Sequence, residues 1–191
     1  MKKHPDLILY FNPELPTIPS AIFIGDNTDI SRYHYRDSYD GLPSNTLTLR
    51  GNQVTMTCYV DASHAANKVT RRSHTGFIIF LNRAPIVWFS KRQNTVESSA
   101  FSSEFIAMKT CVEEIAAMRY KLRMLGIPID GPAKILCDNK SVVDNSSKLS
   151  SKLNKKHNSI AYHAVRWTRA ANIIKVGWIS TIMNLTDALA K

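Results

Sequence analysis

The 191-residue chain has no long hydrophobic run. Nothing in it approaches the ~18 consecutive apolar residues that mark a membrane-spanning helix, so no membrane partner is expected. Its start, MKKHPDLILYF, joins basic residues to an apolar stretch that Asn12, Pro13 and Glu14 cut short. That is not the pattern of a secretory signal. Cysteine is scarce. Cys58, Cys111 and Cys137 lie far apart, with neither metal-ligand spacing nor the even number of a disulfide framework. They read as reduced, buried thiols of an intracellular protein, cytoplasmic or nuclear. There is no internal repeat and no low-complexity tract. Acidic residues are the last shortage: residues 51–191 hold nine Asp or Glu against 20 Lys or Arg.

What is present divides into two unequal segments. Residues 1–50 carry a net charge of −1 and five of the eight prolines. Proline fixes φ and removes a backbone donor, so this segment is expected to be an extended arm with short strand pieces such as AIFIG. SRYHYRDSYDG within it, aromatic and polar, has the character of a docking surface. Residues 51–191 carry a net +11, a field that favours polyanions.

From residue 51 the pattern sharpens. NQVTMTCYVDAS alternates apolar and polar residues and predicts a strand. HTGFIIFLNRAPIVWFSKRQ predicts a hairpin turning over Asn82, Arg83, Ala84 and Pro85. A long helix follows, with Phe101, Phe105, Met108, Val112, Ile115 and Leu122 at helical spacing, Ser98 as its cap and Gly126 at its end. PAKILCDN predicts a fourth strand and KSVVDNSS a short helix. The next helix carries Ile160, Ala164, Trp167 and Ala171 on one stripe, then come a fifth strand, IIKVGWIST, and a last helix. The expected order, β-β-β-α-β-α-α-β-α, implies a mixed five-stranded sheet with helices on both faces, an α/β fold.

Four carboxylates fall at element ends or on a buried side. Asp61 closes the first strand, Glu104 shares the buried side of the long helix with Met108, Asp138 closes the fourth strand, and Asp187 lies in the first turn of the last helix. Each has a plain structural reading as well. Asp138 would serve as an N-cap, Asp187 would favour a helix dipole, Glu104 would lie at the edge of the stripe, and Asp61 would pair with Arg71 or Arg72. Taken together, carboxylates converging at one sheet edge repel unless cations intervene. Oxygen ligands of this kind select Mg²⁺ or Mn²⁺. Two such ions activate water and stabilise the leaving oxygen of a phosphodiester.

The runs YVDASHA, TRRSHTGFIIFLN, PIVWFSKRQNTVESS, SEFIAMK, LCDNKSVV, LNKKHNSIAYHAVR and LTDALAK resemble the ribonuclease H domain of copia-type LTR retrotransposon Pol polyproteins, over about residues 51–191. The resemblance implies a ribonuclease H-like fold that cleaves the RNA strand of RNA–DNA hybrids with two Mg²⁺ or Mn²⁺ ions. Asp61 and Asp138 would bridge the ions, with Glu104 and Asp187 each favouring one. The arm is similar to the connection that follows the reverse transcriptase in those polyproteins and carries no polymerase motif, so that reverse transcriptase is the implied partner. The chain stops four residues after Asp187, leaving about one turn of a helix expected to be longer. Lys68, Arg71, Arg72, Lys91, Arg92, Lys155, Lys156 and His157 are the expected phosphate contacts, with Lys148 and Lys152 nearby. Trp88 and Trp167 are expected in the core. The rival reading is a catalytically impaired, nucleic-acid-binding remnant of such a domain.

Overall fold

The computed structural model describes residues 22–23, 47–148, 151, 153 and 156–190. The remaining sequence-based expectations for the arm, and those for Lys152 and Lys155, lie outside the described residues. β1 (Met56–Ser63) alternates as its sequence predicts: Cys58, Val60 and Ala62 enter the main core, while Tyr59 joins a second cluster on the other face. β2 (His74–Leu81) behaves likewise, with Phe77 and Ile79 in the main core and Phe80 in the second cluster. β3 (Ala84–Arg92) completes an antiparallel meander.

The hairpin turn is shorter than expected. Asn82 and Arg83 alone connect the strands, Asn82 taking a left-handed φ of 54°, and Ala84 and Pro85 already belong to β3. Proline is tolerated there because β3 is an edge strand and the ladder is irregular opposite it, at Ile79/Phe80.

α1 (Ala100–Met124) is capped by Ser99, not Ser98; the Ser99 hydroxyl accepts from the Ser102 amide. Its end is a Schellman turn around Gly126 at φ +73°. The Gly126 amide donates to Arg123 at 2.9 Å and the Ile127 amide to Leu122 at 2.9 Å. β4 (Ala133–Cys137), α2 (Lys140–Ser147), a 3₁₀ turn (Lys156–Asn158), α3 (Ser159–Ala170), β5 (Ile174–Trp178), a second 3₁₀ turn (Thr181–Met183) and α4 (Asp187–Ala190) follow. The sheet order is β3-β2-β1-β4-β5. β4 lies parallel to both β1 and β5.

α1 and α3 pack over the main core. The buried face of α3 is set by Ala161, Tyr162, Val165 and Thr168, one residue out of phase with the expected stripe; Ile160 is 78% and Trp167 47% exposed. The reason is polar. Arg166 is buried so that its guanidinium can donate to the carbonyls of Asn145 (3.1 Å) and Lys148 (2.8 Å) at the end of α2. Satisfying those orphan carbonyls outweighs burying one more aromatic ring. Trp88 is likewise not in the core. It projects from the edge strand at 71% exposure.

The opposite face is closed by α4 and by two residues of the N-terminal segment. A side chain at Gly76 would come within 2.9 Å of the Ala190 amide, so glycine lets α4 lie directly on β2. Gly177 does the same for Ile22 and Phe23, and buried Phe23 joins Tyr59, Phe80, Leu136 and Ile179.

Candidate active site

The site grows from the parallel pair in mid-sheet. Val60 is in register with Cys137, where the pairing of β1 with β4 stops, so the next residues, Asp61 and Asp138, lie side by side. Asp61 does not close its strand as expected: β1 runs on to Ser63 because Asp61, Ala62 and Ser63 stay paired with β2. Open sheets place ligand sites at the carboxyl ends of parallel strands, beside a reversal of strand order. Asp61 is buried, and its Oδ1 accepts the Ala62 amide at 2.7 Å. Asp138 is not the cap of α2. Asn139 takes that role, accepting from the amides of Ser141 (3.1 Å) and Val142 (3.3 Å). One Asp138 oxygen is therefore left buried with no hydrogen-bond partner among the described residues.

α1 brings the third carboxylate. Gln93 pins the helix start, its Nε2 donating to the Ser103 carbonyl at 2.8 Å and the Thr75 hydroxyl at 3.0 Å. This holds Glu104, buried, against the strand ends. Burial pushes its carboxyl up to about 9, with the negative charges of Asp61 and then Asp138 adding to the rise and the Ala62 amide opposing it. In the metal-free fold the protonated form of Glu104 is therefore favoured at neutral pH.

Sequence reasoning missed one member. Cys137 offers its sulfur 4.0 Å from Glu104 Oε2, and ligand atoms of Glu104, Cys137 and Asp138 lie within 4.8 Å of one another. Burial pushes this thiol well above its ordinary range, and Glu104 adds to the rise. Nothing in its sequence spacing marks it. Only the strand end placed beside α1 gives it this neighbour.

Asp187 arrives from the opposite face, half-buried, as the first residue of α4. The turn before it is anchored to β1: Asn184 Nδ2 donates to the Val60 carbonyl at 3.1 Å, immediately before Asp61. Thr186 Oγ1 donates back to Asn184 Oδ1 at 2.6 Å, and the Asp187 amide to the Asn184 carbonyl at 3.3 Å. Ser90 Oγ donates to the Leu189 carbonyl at 2.7 Å, holding the far end of this short helix to β3. Asn184 is a second anchor that sequence reasoning did not single out. The polar run NLTD was its only signal.

The antiparallel side of the same sheet end is basic. His74 pairs in register with Ser63 and with Arg92. Arg72, His74, Lys91 and Arg92, with Ala66, Asn67 and Asn94, line an open groove of about 490 Å³. Lys68 and Arg71 are exposed on the β1–β2 loop. Asn67 organises this loop, its side chain accepting from the amides of Val69 (3.1 Å) and Thr70 (2.8 Å) and its carbonyl from Arg71 (2.7 Å). Arg71 takes a left-handed φ of 54° there. Lys156 and His157 lie beside the start of α1. His157 Nε2 is 3.5 Å from the Ser102 hydroxyl and 3.8 Å from the buried Glu97 carboxylate. Lys148 is engaged with Asp144 at 3.1 Å.

The folds of known proteins decide the architecture. The chain superposes on the RNase H1 of Halobacterium salinarum with a TM-score of 0.56 at 12% identity, over 71% of this chain and 94% of that one. It superposes equally, at 0.56 and 14% identity, on LC11-RNase H1 in complex with an RNA/DNA hybrid, over 71% and 93% of the two chains. The fold is ribonuclease H-like.

No protein-family model matches the chain. Over 152 residues, 79% of its length, it is 30% identical to the Retrovirus-related Pol polyprotein from transposon RE1 of Arabidopsis thaliana. Its homologues are Pol polyproteins of copia-type transposons, and it spans about a tenth of the length of that relative. Within this ribonuclease H-like domain the donors suit a hard divalent cation: carboxylate oxygens predominate, and a buried Asp138 oxygen lacks a partner among the described residues. Among the described residues no helix is long and apolar enough to cross a membrane.

Proposed function

We propose that this ribonuclease H-like domain hydrolyses the RNA strand of RNA–DNA hybrids as part of a retrotransposon Pol protein. The observation that carries the reading is Glu104, buried beside Asp61 and Asp138 and pushed up to about 9. Such clustering costs stability in the absence of a cation and favours binding one. Asp61, Glu104, Asp138 and Asp187 are the proposed ligands of two Mg²⁺ or Mn²⁺ ions. When bound, the ions would supply an activated water and stabilise the leaving 3′ oxygen.

The chain's own residues then divide the remaining work. Asp61 and Asp138, side by side where β1 and β4 part, define the point of attack. Glu104 gives up its proton as positive charge arrives. Asn184 keeps the Asp187 turn against β1. Lys68, Arg71, Arg72, Lys91 and Arg92 take phosphates of the duplex at the flank, and Lys156 and His157 do so beside α1. Such contacts position a hybrid without reading its sequence, and 2′-hydroxyls distinguish its RNA strand. The reverse transcriptase of the same polyprotein is the proposed partner. The proposed location is intracellular, cytoplasmic or nuclear.

The test is cleavage of an end-labelled hybrid by the full chain in Mg²⁺ or Mn²⁺, with RNA duplex and DNA duplex as controls. Metal-dependent cutting confined to the RNA strand of the hybrid supports the reading. Tight hybrid binding with no cutting under any metal would replace it with the binding-only remnant.

A further inference from the structure

Cys58 of β1 and Cys111 of α1 are fully buried, and their sulfurs stand 2.9 Å apart. Bonded disulfide sulfurs lie about 2.05 Å apart, so closure would need the two to approach by less than ~1 Å. The third thiol, Cys137, is committed elsewhere, against Glu104 at 4.0 Å. All three cysteines are free. We propose that Cys58 and Cys111 are a built-in redox pair that closes to a disulfide in the folded protein under oxidising conditions and staples β1 to α1.

The staple falls where it matters most for the carboxylate cluster. Asp61 follows Cys58 by three residues, and Glu104 precedes Cys111 by seven. The bond would therefore lock together the strand and the helix that bring two of the carboxylates into one site. It would close a long loop, the partners being 53 residues apart in sequence, which is the case in which a cross-link most restricts the unfolded chain. In the reaction the two thiols lose two protons and two electrons and one S–S bond forms. The oxidant is an azo compound such as diamide, reduced to its hydrazine, or a small disulfide, reduced to two thiols. Burial and the neighbouring sulfur push the Cys58 thiol well above its ordinary range, so closure waits on local opening and is slow.

The experiment exposes the native full chain to diamide, quenches it, alkylates it under denaturing conditions, and maps the peptides by mass spectrometry. Free thiols should fall from three to one, and a reducible cross-link should join the peptide holding Cys58 to that holding Cys111. The midpoint of thermal unfolding should rise by about 10 °C, the scale for a loop of this length in a domain of this size. Cys137→Ser should oxidise as the wild type does, and Cys111→Ser should not. Three thiols surviving oxidation would overturn the proposal, as would a bond involving Cys137 or a cross-link that forms only in denaturant. Should the Cys111→Ser chain fail to fold, the wild-type peptide map alone decides.

Discussion

The two halves of the sheet end in opposite chemistry. The parallel half, β1-β4-β5, carries buried Asp61 and half-buried Asp138, crowded by Glu104 of α1; the antiparallel half, β1-β2-β3, finishes in arginine, lysine and histidine that stay in contact with solvent. Under the proposed function the difference follows from what each group would do. A carboxylate has to lose water and meet like charge before it demands a cation. A cation meant for a phosphodiester backbone works from a wet surface, where counterions can leave as the duplex arrives. Burial is thus spent on the acids, and the bases are arranged at the rim.

The sharpest break is on the acidic side. Asp138→Asn keeps the shape of the strand end and removes a charge, so cleavage should fall by at least about 10²–10³-fold while hybrid affinity holds or rises, the scale seen when one preorganised electrostatic contact is lost. A single-turnover cleavage assay with a parallel binding isotherm separates the two. Wild-type rates in this variant would remove Asp138 from the metal-ligand set.

A second break uses pH. Glu104 titrates near 4.5 in the unfolded chain and at about 9 in the metal-free fold. The folded state binds the extra proton between those values, so its stability is fully present below about 4.5 and is lost as pH rises towards 9. Thermal unfolding in chelator should show that decline, Glu104→Gln should flatten it, and Mg²⁺ should offset it at high pH. A profile in the wild type as flat as in the variant would show that Glu104 titrates normally.

The third concerns the sheet face opposite the main core, shared by both halves. Phe23 lies across the expected domain boundary at residue 50, so Phe23→Ala tests how far the arm can be separated. The expected loss is about 3 kcal/mol, the low end for truncating a buried phenylalanine. Denaturant unfolding that is unchanged would leave residues 51–191 independent of this contact.

The smallest effect belongs to the basic rim. Arg71→Ala with Arg72→Ala should leave the melting temperature in place and weaken hybrid binding, each lost phosphate contact lowering the salt slope of log affinity by roughly 0.7–0.9. An unchanged slope with a clearly lower melting temperature would assign these arginines to the loop they sit in rather than to a duplex.

Much of this was legible in the primary structure, and the reasons are specific. Period-two alternation in MTCYVDAS, the stripe from Phe105 to Leu122, and Gly126 at a helix end are local signals, each set by neighbours a few residues away, and the element order and the mixed sheet followed from them. The Pol resemblance was carried by motifs in sequence order, and the homologues agree with it. Decisions between near-equals were harder to read. Ser98 and Ser99 are equally good caps, Asp138 and Asn139 equally good caps, and the apolar stripe of α3 has a competitor one residue away.

Those decisions needed partners distant in the chain. Asn139 captured the cap, and one buried Asp138 oxygen is without a hydrogen-bond partner among the described residues, beside Asp61 where β4 parts from β1. The carbonyls at the end of α2 turned Arg166 inward and Trp167 outward. Cys137 came against Glu104, and Cys58 against Cys111, only because a strand and a helix cross there. Sequence by itself determined the residue types, the periodicities and therefore the elements, because those depend on backbone geometry within a few residues. Tertiary structure alone decided which carboxylates, thiols and cations share a space. Charge repulsion, desolvation and sulfur contact act through distance, and distance between remote residues exists only once the sheet has formed.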